Sequence, residues 1–242
     1  MNILLTNDDG IDCEGLLRLA DMIRSRQDHT VYVLAPDKNR SGVSHSISFF
    51  KGPIRLTPHG ENAWACSGTP ADCVMMAILG ALPVKPDLVV SGINEGANIG
   101  TDIIYSGTAA AARQAGLYRV PAVALSLVGS KPFYWDQTVA YAVEHLEEFA
   151  GLWKPDTFIN VNIPNAAAGP EGMVMTVPSR HLYQNSLSVF DAPDGATYCF
   201  INWGNIAAEP ESGSDWDAVS RNLVSISPVF LHPVVQQPEN RR

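Results

Sequence analysis

Short blocks of consecutive apolar residues alternate, over the first two thirds of the chain, with stretches in which apolar positions recur every three or four residues. The blocks are "NILLT", "TVYVLAP" (30–36), "DLVVS" (87–91), "VPAVALSL" and "TFINVNIP" (157–164). Runs that are apolar at nearly every position suit strands covered on both faces. Between them, "GLLRLADMIRSR" places Leu16, Leu19, Ala20 and Ile23 on one stripe, the spacing of an amphipathic helix. "TPADCVMMAILGAL" carries a helix start, with Thr69 as cap, Pro70 in the first helical position and Asp72 closing a capping box. Two further helices are expected, "TAAAARQAG" beginning near Ser106 to Thr108 and ended by Gly116, and "DQTVAYAVEHLEEFAG" with Asp136 as cap. Strand and helix in alternation predict right-handed crossovers and an α/β fold built on a parallel sheet.

Two regions break the alternation. Residues 37–66 hold glycines, serines and short alternating runs, which predict a loop and an irregular hairpin. Beyond Pro164, "GMVMTV", "ATYCFINWG" and "NLVSISPVF" are short runs separated by Pro, Gly, Asp and Ser. They predict a β-rich extension that packs on the core or embraces a second subunit. The expected organisation is an α/β core over 1–164 and an extension over 165–242, returning to the core and involved in oligomerisation.

Composition narrows the partners. With 242 residues, 46% of them hydrophobic, the chain can bury a large core. The 25 acidic residues outnumber the 16 basic ones, and no lysine or arginine run offers a cationic stripe, which argues against a nucleic-acid duplex or an anionic membrane as partner. The four cysteines lack the spacing of a zinc site and are read as free thiols. The N-terminus has no basic region and no segment approaches the roughly 18 apolar residues that span a bilayer, so a cytoplasmic location is expected. The tail "QQPENRR" is polar and expected to fray.

In an open parallel sheet, ligands lie outside the carboxyl ends of the strands. Three polar clusters fall at those ends: Asn7, Asp8 and Asp9 after the first strand; Asn39, Arg40 and Ser41 after the second; Asn94 and Asn98 after the strand ending at Ser91. Adjacent carboxylates repel unless one is protonated or a cation lies between them. Completed by a hydroxyl or amide oxygen, they form a hard donor set that favours Mg²⁺ or Mn²⁺ over zinc. Asn, Asp and Gly also make ordinary turns, so "NDDG" alone leaves both readings open. The glycine-rich loop from Gly92 to Gly107 leads into a helix whose free amides could cradle phosphate, or it turns tightly for its own sake. It fits neither the dinucleotide nor the nucleoside-triphosphate glycine motif. His45 is a weak acid–base candidate, and Ser67 lacks the elbow motif of a serine nucleophile.

"ILLTNDDG", "VLAPDKNRSGVSHSI", "CSGTPADCV", "VVSGINEGANIGTDIIYSGTAAAA" and "NVNIP", in that order over residues 1–164, resemble the SurE family of stationary-phase survival proteins, metal-dependent nucleoside monophosphate phosphatases. The resemblance implies a Rossmann-like three-layer α/β/α sandwich, mostly parallel, with a β-rich C-terminal extension and assembly as a homodimer or homotetramer. It implies one divalent cation per subunit, Mn²⁺ or Mg²⁺, on Asp8, Asp9, Ser41 and Asn94, with Asp8 or Asp9 orienting water or attacking phosphorus. Asn98, Ser106, Gly107 and Thr108 would then hold phosphate. The implied substrates are nucleoside 5′- and 3′-monophosphates. A metal and nucleotide sensor without turnover, or a phosphatase for polyphosphate or another monoester, is the alternative. Base contacts are left to the 37–66 loop or the C-terminal lobe.

Overall fold

The computed structural model describes residues 1–180, 183–202, 204 and 210–233. The tail "QQPENRR" and Trp203 lie outside the described residues. Along the chain the elements are β1 (Asn2–Thr6), α1 (Glu14–Ser25), β2 (Thr30–Pro36), β3 (Leu56–Gly60), β4 (Ala63–Cys66), α2 (Pro70–Met76), β5 (Leu88–Glu95), α3 (Asp102–Tyr105), α4 (Gly107–Leu117) and β6 (Ala122–Val128). They continue with α5 (Trp135–Glu144), α6 (Leu146–Gly151), β7 (Thr157–Pro164), β8 (Met173–Met175), β9 (Ser186–Asp191), β10 (Thr197–Asn202), α7 (Asp215–Ser220) and β11 (Val224–Phe230).

The main sheet runs in the order β3-β4-β2-β1-β5-β6-β7-β11-β8. From β4 through β7 every neighbouring pair is parallel. The exceptions are β3 against β4 and β11 against β7, both antiparallel. The chain leaves β1 toward β2 and β4, then returns to β5 on the other side of β1 and continues outward to β6 and β7. The order therefore reverses between β1 and β5, which is where an open sheet of this kind leaves a crevice for ligands.

The pleat sorts the core into two layers. Ile3 and Leu5 face α1, α5 and α6, packing with Leu16, Ile23, Val139 and Phe149. Leu4 faces the other way, with Val74 of α2 and Ala109, Ala112 and Ala115 of α4. This is the three-layer α/β/α arrangement, with a C-terminal antiparallel strand added to the sheet. α4 is alanine-rich because it lies flat on the sheet; Ala109 to Ala112 are fully buried there. Among the described residues no helix is long and apolar enough to cross a membrane.

Several boundaries differ from the periodicity. β5 continues past Ser91 to Glu95 through an irregularity that lets Asn94 pair with Ser126 of β6. Gly92 makes this possible: its φ is +141°, and a Cβ there would stand 2.3 Å from the Leu125 carbonyl oxygen. Asn94 therefore stands on the strand rather than in a loop. α4 runs one residue beyond Gly116, and the left-handed position that ends it is Arg119 (φ +60°). Gly116 instead makes room for Leu231, whose Cδ2 would meet a Cβ at 2.5 Å. Asp136 is not a cap: α5 starts at Trp135 without a side-chain cap, and Asp136 pairs with Arg18 of α1. The expected single helix over 136–151 is two, parted at His145. The capping box of α2 is present, Thr69 Oγ1 accepting from the Asp72 amide and Asp72 accepting from the Thr69 amide.

Candidate functional site

At the end of β1 the chain turns through Asn7, whose Nδ2 donates to the Gly10 carbonyl at 2.8 Å and whose Oδ1 accepts the Gly10 amide at 3.1 Å. Asn7 is thereby spent on the turn, which presents Asp8 and Asp9 at the switch point between β1 and β5. Asp8 is buried, with Oδ2 accepting the Gly107 amide at 3.0 Å and Oδ1 accepting the Thr108 hydroxyl in a short bond. Its carbonyl accepts the Arg40 amide at 2.6 Å, which brings the 37–41 loop alongside.

Asp9 stands on the more open side. Its Oδ1 faces the Ser41 hydroxyl at 3.5 Å and the Asn39 amide at 3.4 Å, and its Oδ2 accepts the Glu95 amide at 3.2 Å. Asn94 is the preceding residue on β5; its Nδ2 donates to the Gly96 carbonyl at 2.9 Å, a bond that does not engage its side-chain oxygen. The first two polar clusters therefore meet, with Asp8, Asp9 and Ser41 joined by direct or single-residue contacts, and the end of β5 reaches them through the Glu95 amide beside Asn94.

Electrostatics favour a cation here. Burial, then the charge of Asp8, pushes the Asp9 carboxyl up to about 6. Burial raises Asp8 as well, against the opposing pull of the Thr108 and Gly107 bonds and the N-terminal end of α4. Two carboxylates whose ionisation is resisted by burial and by each other, with the Ser41 hydroxyl beside them, suit a hard divalent cation in oxygen coordination.

The expected phosphate ligands have definite occupations. Ser106 Oγ caps α4 by accepting the Ala109 amide at 3.0 Å, which leaves its hydroxyl proton to donate. The Gly107 amide and Thr108 hydroxyl are directed at Asp8. Glycine at 107 is required by close approach, since a Cβ would lie 2.6 Å from the Asp8 Cβ. Asn98 is held farther back: its Nδ2 donates to Ser126 Oγ at 2.7 Å, its amide to Asn162 Oδ1 at 2.9 Å, and its carbonyl accepts from Asn160 and Asn162. His45 pairs with Gln114 of α4 at 2.7 Å, and burial lowers its pKa so that the ring is neutral at pH 7.

Periodicity did not single out Asn160, Asn162 or Asp215. The "NVN" of β7 was the available signal, because two asparagines at a spacing of two share one face of a strand that is otherwise apolar. Asp215 is fully buried and accepts the amides of Gly100 at 2.7 Å and Ser179 at 2.8 Å, fastening the loop after β5 to the C-terminal segment. Only the fold brings residues 100 and 215 together.

A doubly wound sheet with paired carboxylates at its switch point places the molecule among α/β proteins that bind ligands at the carboxyl ends of their strands. Within that class, the profile of the family "Survival protein SurE" matches residues 3–185, and the chain belongs to the SurE family. It is 39% identical to the 5′-nucleotidase SurE of Geotalea uraniireducens over 96% of this chain and 93% of that one. The 5′-nucleotidase SurE of Thermoanaerobacter sp. is 38% identical, over 96% and 92%. The crystal structure of the SurE protein from Aquifex aeolicus superposes with a TM-score of 0.85 at 33% identity, covering 97% of this chain and 95% of that one.

Proposed function

We propose that this protein hydrolyses nucleoside 5′-monophosphates, and 3′-monophosphates with them, to nucleoside and inorganic phosphate. In this reading one divalent cation per subunit, Mg²⁺ or Mn²⁺, is held by Asp8, Asp9, Ser41 and Asn94. The observation that carries it is the meeting of Asp8, Asp9 and Ser41 with the end of β5 at the switch point, supported by relatives named 5′-nucleotidase over nearly their whole length.

When bound, the cation supplies Lewis-acid polarisation of a phosphoryl oxygen and lowers the pKa of water aimed at phosphorus. The two aspartates divide the remaining work. Asp8, with both oxygens hydrogen-bonded and little exposure, is a carboxyl group held in one orientation by Gly107 and Thr108. Asp9 has only long contacts at Oδ1, so it is the carboxylate with room to accept a proton from the attacking water. The Ser106 hydroxyl proton and the second hydrogen of Asn98 Nδ2, whose first goes to Ser126, are the donors this reading directs at the phosphate oxygens as charge develops.

The same reading includes assembly as a homodimer or homotetramer. It is supported by β9 and β10, a hairpin that stands off the main sheet and exposes Leu187, Phe190, Tyr198, Phe200 and Ile201.

The deciding experiment measures phosphate release from 5′- and 3′-nucleoside monophosphates, with EDTA, Mg²⁺ or Mn²⁺, for wild type and Asp9→Ala. Cation-dependent release that collapses in the folded variant supports the nucleotidase reading. Metal-dependent nucleotide binding without release would replace it with a sensor.

A further inference from the structure

We propose that the cleft between the first turns of α1 and α5 is the nucleobase subsite, and that it takes a purine ring against Phe133 and Tyr134. The proposal rests on the nucleotidase reading and adds to it the part of the substrate that the carboxylate pair does not touch. The cleft has a volume of about 760 Å³ and is lined by Glu14, Arg18, Lys131, Phe133, Tyr134 and Gln137, among others.

It adjoins the carboxylate pair along two routes. Cys13 Sγ lies 3.9 Å from Asp9 Oδ2, and the next residue, Glu14, forms one wall. On the other side Glu95 gives its amide to Asp9 at 3.2 Å while its carboxylate lies 4.0 Å from the Lys131 ammonium. A ligand whose phosphate meets Asp9 can therefore extend over Glu95 and Lys131 into the cleft.

The charge of the cleft selects the kind of group that enters. Arg18 is clamped by Glu14 at 2.7 Å and Asp136 at 2.8 Å, and Lys131 faces Glu95, so the cations are already matched by carboxylates. A second anionic group would have to displace those partners. A neutral planar heterocycle would not, and it gains from the aromatic wall. Glu14 and Gln137 offer acceptors and an amide donor for its edge.

The wall is held in advance. Phe133 packs edge-on against the buried Trp135, with ring centroids 5.5 Å apart. Asn165, just past β7, fastens the loop: its Nδ2 donates to the carbonyls of Ser130 and Pro132, both at 2.9 Å, and its Oδ1 accepts the Tyr134 amide at 2.8 Å. The Tyr134 carbonyl then accepts the Thr138 hydroxyl at 3.0 Å. With its backbone pinned on both sides, Tyr134 keeps a part-exposed ring at the mouth of the cleft, so little ordering is left for the ligand to impose. The apolar groove of Phe49, Ile54, Met76 and Leu79 lacks such a link to Asp9, and its one carboxylate, Asp72, is spent on Ser48 and Thr69.

The test compares kcat/KM for 5′-AMP with that for ribose 5-phosphate, which presents the same ester without a base, in wild type, Tyr134→Ala and Phe133→Leu. Melting temperatures establish that each variant is folded, and Tyr134→Leu stands in if the alanine variant is not. The expected result is that wild type prefers 5′-AMP, with purine above pyrimidine nucleotides, and that this preference falls on the order of tenfold in Tyr134→Ala through a higher KM, as for a lost stacking contact. A preference unchanged in the folded variants would overturn the subsite while leaving the nucleotidase reading standing. If wild type releases phosphate from neither 5′-AMP nor ribose 5-phosphate, the nucleotidase reading falls and the subsite with it.

Discussion

Asp9 carries a stability cost that function would explain. Its carboxyl sits at about 6 in the folded chain against an ordinary 3.8, so the fold favours the protonated form. Its contribution to stability is therefore full below the ordinary value and is lost as pH rises through about 6. The metal-free protein is expected to melt lower near neutral pH than in mild acid. Mn²⁺ or Mg²⁺ should recover most at the higher pH, and Asp9→Asn should flatten the difference; scanning calorimetry with and without EDTA checks this. The same substitution should cut kcat/KM at least about a hundredfold, since the site loses a ligand and its proton acceptor. Gly107→Ala is the second diagnostic change. Its methyl group must push Asp8 away, so activity should fall about tenfold or more, with a stability loss of about 1–3 kcal/mol by denaturant titration.

At the level of elements, the site depends on how the end of β7 supports the loop after β5. Asn162→Ala removes the acceptor for the Asn98 amide and one of the two donors to its carbonyl, leaving the buried amide without its partner while Asn160 still serves the carbonyl. The expected cost is about 1–3 kcal/mol in urea unfolding, together with a higher KM, because the loop carrying Asn98 is released. Strands, helices and the α2 capping box were legible in the sequence because each depends on local periodicity and local hydrogen bonds. The extension of β5 through Gly92 was not, since its cause is the Leu125 carbonyl on the neighbouring strand. Gly116 misled for a similar reason: a glycine near a helix end reads as a stop, while here it admits Leu231 from the far end of the chain.

For the whole molecule, the proposed assembly gives the β9–β10 hairpin its role. Its outward Phe190 and Phe200 rings meet each other edge-on at 5.8 Å and remain largely exposed. Replacing both with serine is expected to shift sedimentation toward the single chain while leaving the circular dichroism of the sheet and helices in place. An unchanged sedimentation coefficient would remove the hairpin from the interface.

The sequence by itself determined the alternation of strand and helix, the acidic character of the chain and the polar clusters at the strand ends, because these follow from side-chain period and residue chemistry. The ordered motifs also identified the family and, with it, the candidate site residues. Only the tertiary structure decided that the order reverses between β1 and β5, that Gly107 and Thr108 are directed at Asp8, and that Asp215 ties the C-terminal segment to the loop after β5. Those facts depend on contacts between residues about a hundred positions apart, which no local pattern encodes.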